Sequence, residues 1–147
     1  MTVQVERTFD LSAPPEEVWA FISDAGKRAG AISVVESYEL HDEDGERATW
    51  HVSLPIPLVR GTVSVETEQL ERDPPRYVRF VGRSKVMRVV GEHELEEIED
   101  GTRLHNRFQV KGKLPGVETF FERNFQDELR NLERAIEDDL GVSMDEE

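Results

Sequence analysis

Three polar residues fall where an alternating pattern otherwise places apolar ones. In MRVVGEHELEEI, His93 shares its parity with Val89, Gly91 and Leu95, and residues of one parity in a strand face one side of the sheet. In TRLHNRFQV, Asn106 goes with Leu104, Phe108 and Val110; in VVESYELH, Glu36 goes with Val34, Tyr38 and Leu40. A histidine or carboxylate held against apolar surface can serve as general acid or base once burial moves its pKa toward neutrality. His93 and Glu36 are therefore the candidate catalytic groups. They are equally readable as the few polar anchors of an apolar ligand pocket. The quieter alternative is that His93 and Asn106 satisfy each other, the backbone or a buried water, and that Glu36 sits at a rim.

Other chemistries find little footing. HELEE (93–97) begins like the zinc-peptidase H-E-x-x-H, but Glu97 stands where the second histidine belongs and the run is strand-like. His41 lies at a hairpin, and His51 and His105 at outward parities, so no metal site is expected. The chain has no cysteine, hence no thiolate ligand or nucleophile, and this is compatible with a cytoplasmic location. There is no phosphate-binding glycine loop, no G-x-S-x-G elbow and no dinucleotide fingerprint, and no cofactor is expected.

The elements that must position these groups are legible from period and punctuation. Val3, Val5 and Phe9 mark a first strand. In SAPPEEVWAFISD, Ser12 is expected as N-cap, Pro14 and Pro15 in the first turn, and Val18, Phe21 and Ile22 on one face of a helix ending near Asp24. AGKRAGA (25–31) reads as a short, glycine-weakened second helix. From 34 to 113 the period is two: six strands, with turn signals at DEDG (42–45), ERDPPR (71–76) and EDGT (99–102), and an irregularity at PIPL (55–58). A long helix then runs from about Pro115 to Leu140, stopped by Gly141 and striped by Phe121, Phe125, Leu129, Leu132, Ile136 and Leu140. The sequence predicts an α+β fold, a seven-stranded curved antiparallel sheet wrapped around the C-terminal helix, with two short helices after the first strand. One domain is expected over 1–141, with VSMDEE (142–147) a frayed acidic tail.

A curved sheet cannot touch a straight helix everywhere, so a cavity is expected between them. By parity its walls are Tyr38, Trp50, Val52, Leu54, Val63, Val65, Phe80, Val89, His93, Asn106 and Phe108. Phe121, Phe125, Leu129 and Leu132 of the helix face it, flanked by Asn124 and Glu128. The aromatic pair Phe121 and Phe125 is also what an ordinary core would use.

Several stretches together resemble a known group. These are F-x-L-x-A-P-x-E-x-V-W (Phe9 to Trp19), Asp24, RGTVSVETEQLERDPPRYVRF, GTRL at 101–104, and V-x-G-x-L-P-G (110–116) before the last helix. They resemble the START-like (SRPBCC) superfamily, which includes polyketide cyclases/dehydrases and lipid-transport proteins. The G-x-V-x-V block with its D-P-P, and the glycine before the last helix, look most like the G-type accessory subunits of carbon monoxide dehydrogenase. The resemblance implies a helix-grip fold that binds or carries an apolar small molecule such as a lipid, a quinone or a polyketide-like compound. It also allows a cyclase or dehydratase, or an accessory factor with a redox-enzyme partner.

Charge narrows the partners. The net charge is −14, with lysine only at positions 27, 85, 111 and 113. Such a surface repels phosphate backbones and anionic headgroups, so neither nucleic acid nor stable membrane insertion is expected, and no apolar run approaches the ~20 residues of a span. The excess acid is either an ordinary solubilising surface or an adaptation to high salt, where screening removes the self-repulsion. The halophilic reading predicts a melting temperature that climbs steeply with added potassium chloride; a flat response from low to molar salt rejects it.

Overall fold

A computed structural model of the chain describes residues 2–42, 46–56, 59 and 61–141. The order is β1 (Thr2–Leu11), α1 (Pro15–Ile22), α2 (Ala25–Ala31), β2 (Val35–Leu40), β3 (Arg47–Ser53), β4 (Thr62–Asp73), β5 (Tyr77–Arg83), β6 (Met87–Ile98), β7 (Gly101–Gly112) and α3 (Val117–Leu140). Strands 2 to 7 form a meander, and β1 returns to pair with β7, giving the antiparallel order β1-β7-β6-β5-β4-β3-β2. This is the expected α+β helix-grip architecture. Register shifts at Val35/Ser37 in β2 and Gln69/Glu71 in β4 add local bend and twist. The turn residues 43–45, Pro57 and Leu58 of PIPL, and the tail 142–147 lie outside the described residues.

Local chemistry explains the helices, with one correction. Ser12 does not cap α1: β1 stays paired with β7 as far as Leu11↔Thr102, so the helix starts later. Pro14 holds the N-cap position without a side-chain bond, Pro15 enters the first turn, and Glu16 and Glu17 face the N-terminal dipole. Helix α1 ends at Ile22 with Ser23 as its C-cap, near Asp24 as expected, and Asp24 caps α2 by accepting from the backbone N–H groups of Gly26 (2.8 Å) and Lys27 (3.1 Å). Helix α3 is bounded by two left-handed glycines, Gly116 and Gly141. Its stripe of Phe121, Phe125, Leu129, Leu132 and Ile136 is buried against the sheet. Apolar residues from β1 and β3 to β7, with Val18, Trp19, Phe21 and Ile22 of α1, complete one core.

The reversal from β1 into α1 is pinned from β7. Thr102 Oγ1 donates to the Ala13 carbonyl at 2.7 Å, and Gly101, at φ 156°, lies so close that a Cβ there would sit 2.0 Å from the Leu11 carbonyl oxygen. Backbone cannot yield as a side-chain tip can. Gly101→Ala should therefore lower stability by roughly 2 kcal/mol or more. Gly30, inside α2, has no atom within 4 Å of where a Cβ would sit, and no positive φ. There alanine should raise stability by about 0.4–1 kcal/mol. Urea unfolding of the two variants checks both signs.

Candidate functional site

The interior of the grip is set by register. Phe80 of β5 and Phe108 of β7 both lie opposite Gly91 of β6, and a Cβ on Gly91 would come within 2.6 Å of Phe80 and 2.7 Å of Phe108. The missing side chain lets the two rings converge over the strand. Phe108 meets Phe125 edge-on at 4.8 Å, and Phe125 meets Phe121 at 5.4 Å, so the cluster continues onto α3. Between this cluster and the sheet is a cavity of about 80 Å³ with almost wholly apolar walls. Its volume suits a few water-sized groups and lies well below the ~300–1,000 Å³ of drug-sized ligand sites.

Three buried polar groups border it. His93 is 1% exposed, and its Nδ1 lies 2.7 Å from Asn106 Oδ1. Asn106 donates its amide N–H to the Arg7 carbonyl at 3.0 Å, which turns its oxygen toward the imidazole. Nδ1 must then carry the proton, and Nε2 presents a bare lone pair. That Nε2 is buried and has no partner. Burial foremost, then the positive charge of Arg28, lowers the His93 pKa to about 3; the Asn106 bond opposes this without cancelling it. The imidazole is neutral at physiological pH. Trp50 also borders the cavity with its Nε1–H buried and unpartnered. Arg28, from α2, is the third, its guanidinium 4.8 Å from the centre of the Phe80 ring. Burial lowers its pKa to about 10, against the attraction of Asp24, so it stays charged at neutral pH.

Of the residues expected from strand parity and the helix stripe, Trp50, Val52, Val65, Phe80, Val89, His93, Phe108, Phe121, Phe125 and Leu132 border the cavity. Others do not. Leu54 and Leu129 are buried elsewhere in the core, and Val63 is only half-buried. Asn106 sits behind His93 as its hydrogen-bond partner. Asn124 is exposed and donates to the Phe120 carbonyl of its own helix. Glu128 is buried but turned to the α2–β2 connection, where it accepts from Ser33 N–H at 2.8 Å and from the Ser33 hydroxyl. Glu36 is exposed. Val35 pairs with Val52 and Ser37 with His51, so Glu36 is the extra residue of a bulge, and a bulge breaks the parity that placed it inside. Beyond the bulge Tyr38 regains the inner parity opposite Trp50, but it is 43% exposed and lies over Gly26 of α2 rather than in the cavity.

The same bulge brings two consecutive residues, Val34 and Val35, to the cavity together with Ile32. These, like Arg28, Thr67, Gly82 and Met87, were not among the walls expected from parity. Thr67 and Gly82 follow from parity once extended; Arg28 does not, because a seven-residue helix has too few turns to show a face. Among the described residues, no group of three or more His, Asp or Glu side chains is placed to hold a metal ion, and no helix is long and apolar enough to cross a membrane.

Known structures share this architecture. A START superfamily protein from Mycobacterium smegmatis superposes with a TM-score of 0.74 at 14% identity, covering 94% of this chain and 97% of the other. The Zhui aromatase/cyclase from Streptomyces sp. R1128 gives 0.70 at 18% identity, covering 93% and 95%. A Thermus thermophilus protein gives 0.70 at 22% identity, covering 92% and 97%. Likeness at these identities speaks for the fold alone. No curated protein matches the sequence. The family model for polyketide cyclase / dehydrase and lipid transport matches residues 2–137; it lends no support to the likeness to carbon monoxide dehydrogenase accessory subunits or to the redox-enzyme partner that likeness implied. With its matched region running from β1 into α3, the chain belongs to the polyketide cyclase/dehydrase and lipid-transport family of the START-like superfamily.

Proposed function

We propose that the protein binds and carries a hydrophobic small molecule, a lipid, quinone or polyketide-like compound, in the cavity between sheet and α3, acting in the cytoplasm. The observation that carries this reading is an apolar cavity bordered by three buried polar groups, each with an unpartnered atom: His93 Nε2, Trp50 Nε1 and Arg28 Nε. Buried polar atoms without partners are rare in a finished fold, and a ligand supplies partners. The cavity has to widen to admit such a ligand, so bound and free proteins differ in shape.

A cyclase or dehydratase is the second reading, favoured by the bare Nε2 of His93 as a proton acceptor. An imidazole with a pKa of about 3 is a weak base and carries no proton to donate at neutral pH. Glu36, the other candidate, is exposed. The carrier reading asks less of these groups.

Native mass spectrometry of protein purified from its own host should show a stoichiometric apolar compound. Val89→Phe, at a half-buried wall position, should weaken its binding by about tenfold or more, ~1.4 kcal/mol, without unfolding the chain. Protein that is empty and takes up no lipid or quinone from host extract overturns the proposal.

The buried imidazole also links folding to pH. Its folded pKa is depressed from 6.5 to about 3, so the unfolded chain binds the proton first. The stability it contributes is complete above pH 6.5 and is lost as pH falls toward 3. Between these limits His93→Phe should gain on the wild type by about 1.4 kcal/mol per pH unit in urea unfolding; parallel pH profiles would show that the site does not exclude the proton.

A further inference from the structure

Arg28 presents a sharper problem than the other polar groups at the cavity. It is 4% exposed, and a buried cation is stable only when paired or richly hydrogen-bonded. One hydrogen bond satisfies part of it, from Nη1 to the Ile22 carbonyl at 2.6 Å. The face of Phe80 offers the ring quadrupole at 4.8 Å. Its Nε–H, buried, has no acceptor, and among the described residues it forms no ion pair. Asp24 attracts it through space, but Asp24 Oδ1 already caps α2. A second cation, Arg72, is close enough to repel it, itself drawn to the Trp19 ring. The cavity is thus bordered on its α2 side by a buried guanidinium that no carboxylate touches among the described residues, in a protein whose net charge is −14.

We infer that the ligand is an apolar monoanion whose charged group, a carboxylate or an ionised phenol, pairs with Arg28 while its hydrocarbon body lies among Phe80, Phe108 and Phe125. This deepens the carrier reading and rests on it. The anion would accept from Arg28 Nε–H in a charge-assisted bond. The acidic surface does not forbid this, because at physiological ionic strength its field is screened within about 8 Å, while the contact with Arg28 is direct. His93 Nε2 acts in concert as an acceptor: it favours a ligand with a hydroxyl on its body and disfavours a second anionic group.

The test compares decanoate, decan-1-ol and potassium chloride as probes by calorimetry and thermal shift, at neutral pH and below micellar concentration. Decanoate should bind about ten- to a hundredfold tighter than decan-1-ol. That preference should vanish in Arg28→Met and persist in part in Arg28→Lys. The comparison of probes on the wild type stands even if Arg28→Met fails to fold. Equal binding of decanoate and decan-1-ol, or an anion preference that survives in folded Arg28→Met, overturns the assignment while leaving the cavity as an apolar site. An Arg28-dependent shift that chloride reproduces in full also overturns it, leaving only an inorganic-anion site. Binding of neither organic probe removes both the anion assignment and the carrier reading beneath it.

Discussion

Everything in this molecule follows from one geometric mismatch: a bent antiparallel sheet has to bury its inner face against a single straight helix. The sheet turns because its strands twist and because β2 and β4 carry bulges. Helix α3 offers one stripe, Phe121 to Ile136, and packs chiefly on β1 and β7. Helix α1 adds cover over β6, and the concave face farther along, over β3 to β5, has little helix directly against it. Aromatic rings reach across part of that gap, and the bare Cα of Gly91 lets Phe80 and Phe108 do so. What they do not fill remains as the cavity. A flatter sheet would have closed on the helix, at native density, with nothing between them.

The polar atoms at this cavity cost stability in the empty state. Each buried donor or acceptor without a partner forfeits about 1–3 kcal/mol, and His93, Trp50 and Arg28 each contribute one. Against a domain's net stability of roughly 5–15 kcal/mol, that is a substantial concession. The rest of the His93 surroundings are well made: Asn106 fixes its tautomer, and the Arg7 carbonyl in turn fixes Asn106. The imidazole is thus fixed on one nitrogen and left with a bare lone pair on the other, and the carrier proposal rests on that asymmetry. This is the same logic by which functional sites depart from the local rules that the remainder of a fold obeys.

The sequence disclosed the fold far better than the site. Strand order, the helix stripe and the turn signals rest on period and punctuation, which survive without knowledge of tertiary contacts. Parity placed seven of the cavity residues, from Trp50 to Phe108, because β3 to β7 keep alternation through the region that matters, and the helix stripe placed Phe121, Phe125 and Leu132. Parity failed on Glu36, where one bulged residue reversed the faces, and no feature of VVESYELH announces a bulge. It failed on Leu54, and the helix stripe on Leu129, for another reason: either pattern separates inside from outside but does not separate cavity wall from solid core. Arg28 was invisible because an arginine in AGKRAGA reads as solvent-facing, and only the packing of α2 under the sheet's free edge buries it.

That free edge is also the least bonded part of the cavity wall. β2 has a neighbour on one side only, it is exposed along most of its length, and its pairing with β3 is already interrupted at the bulge. The connection before it supplies Ile32 and Val34 to the wall, and α2 supplies Arg28. The α3 side of the wall, by contrast, is a 24-residue helix packed along its length, and β6 and β7 are joined over twelve residue pairs. Enlarging the space by moving those would break many bonds at once. The α2–β2 connection is held to the rest of the fold by fewer bonds, the two that Ser33 donates to Glu128 and the one that Ser53 N–H donates to the Val34 carbonyl. Glu128, which the helix stripe had placed among the ligand contacts, instead accepts both of the Ser33 bonds and so ties the α2–β2 connection to α3.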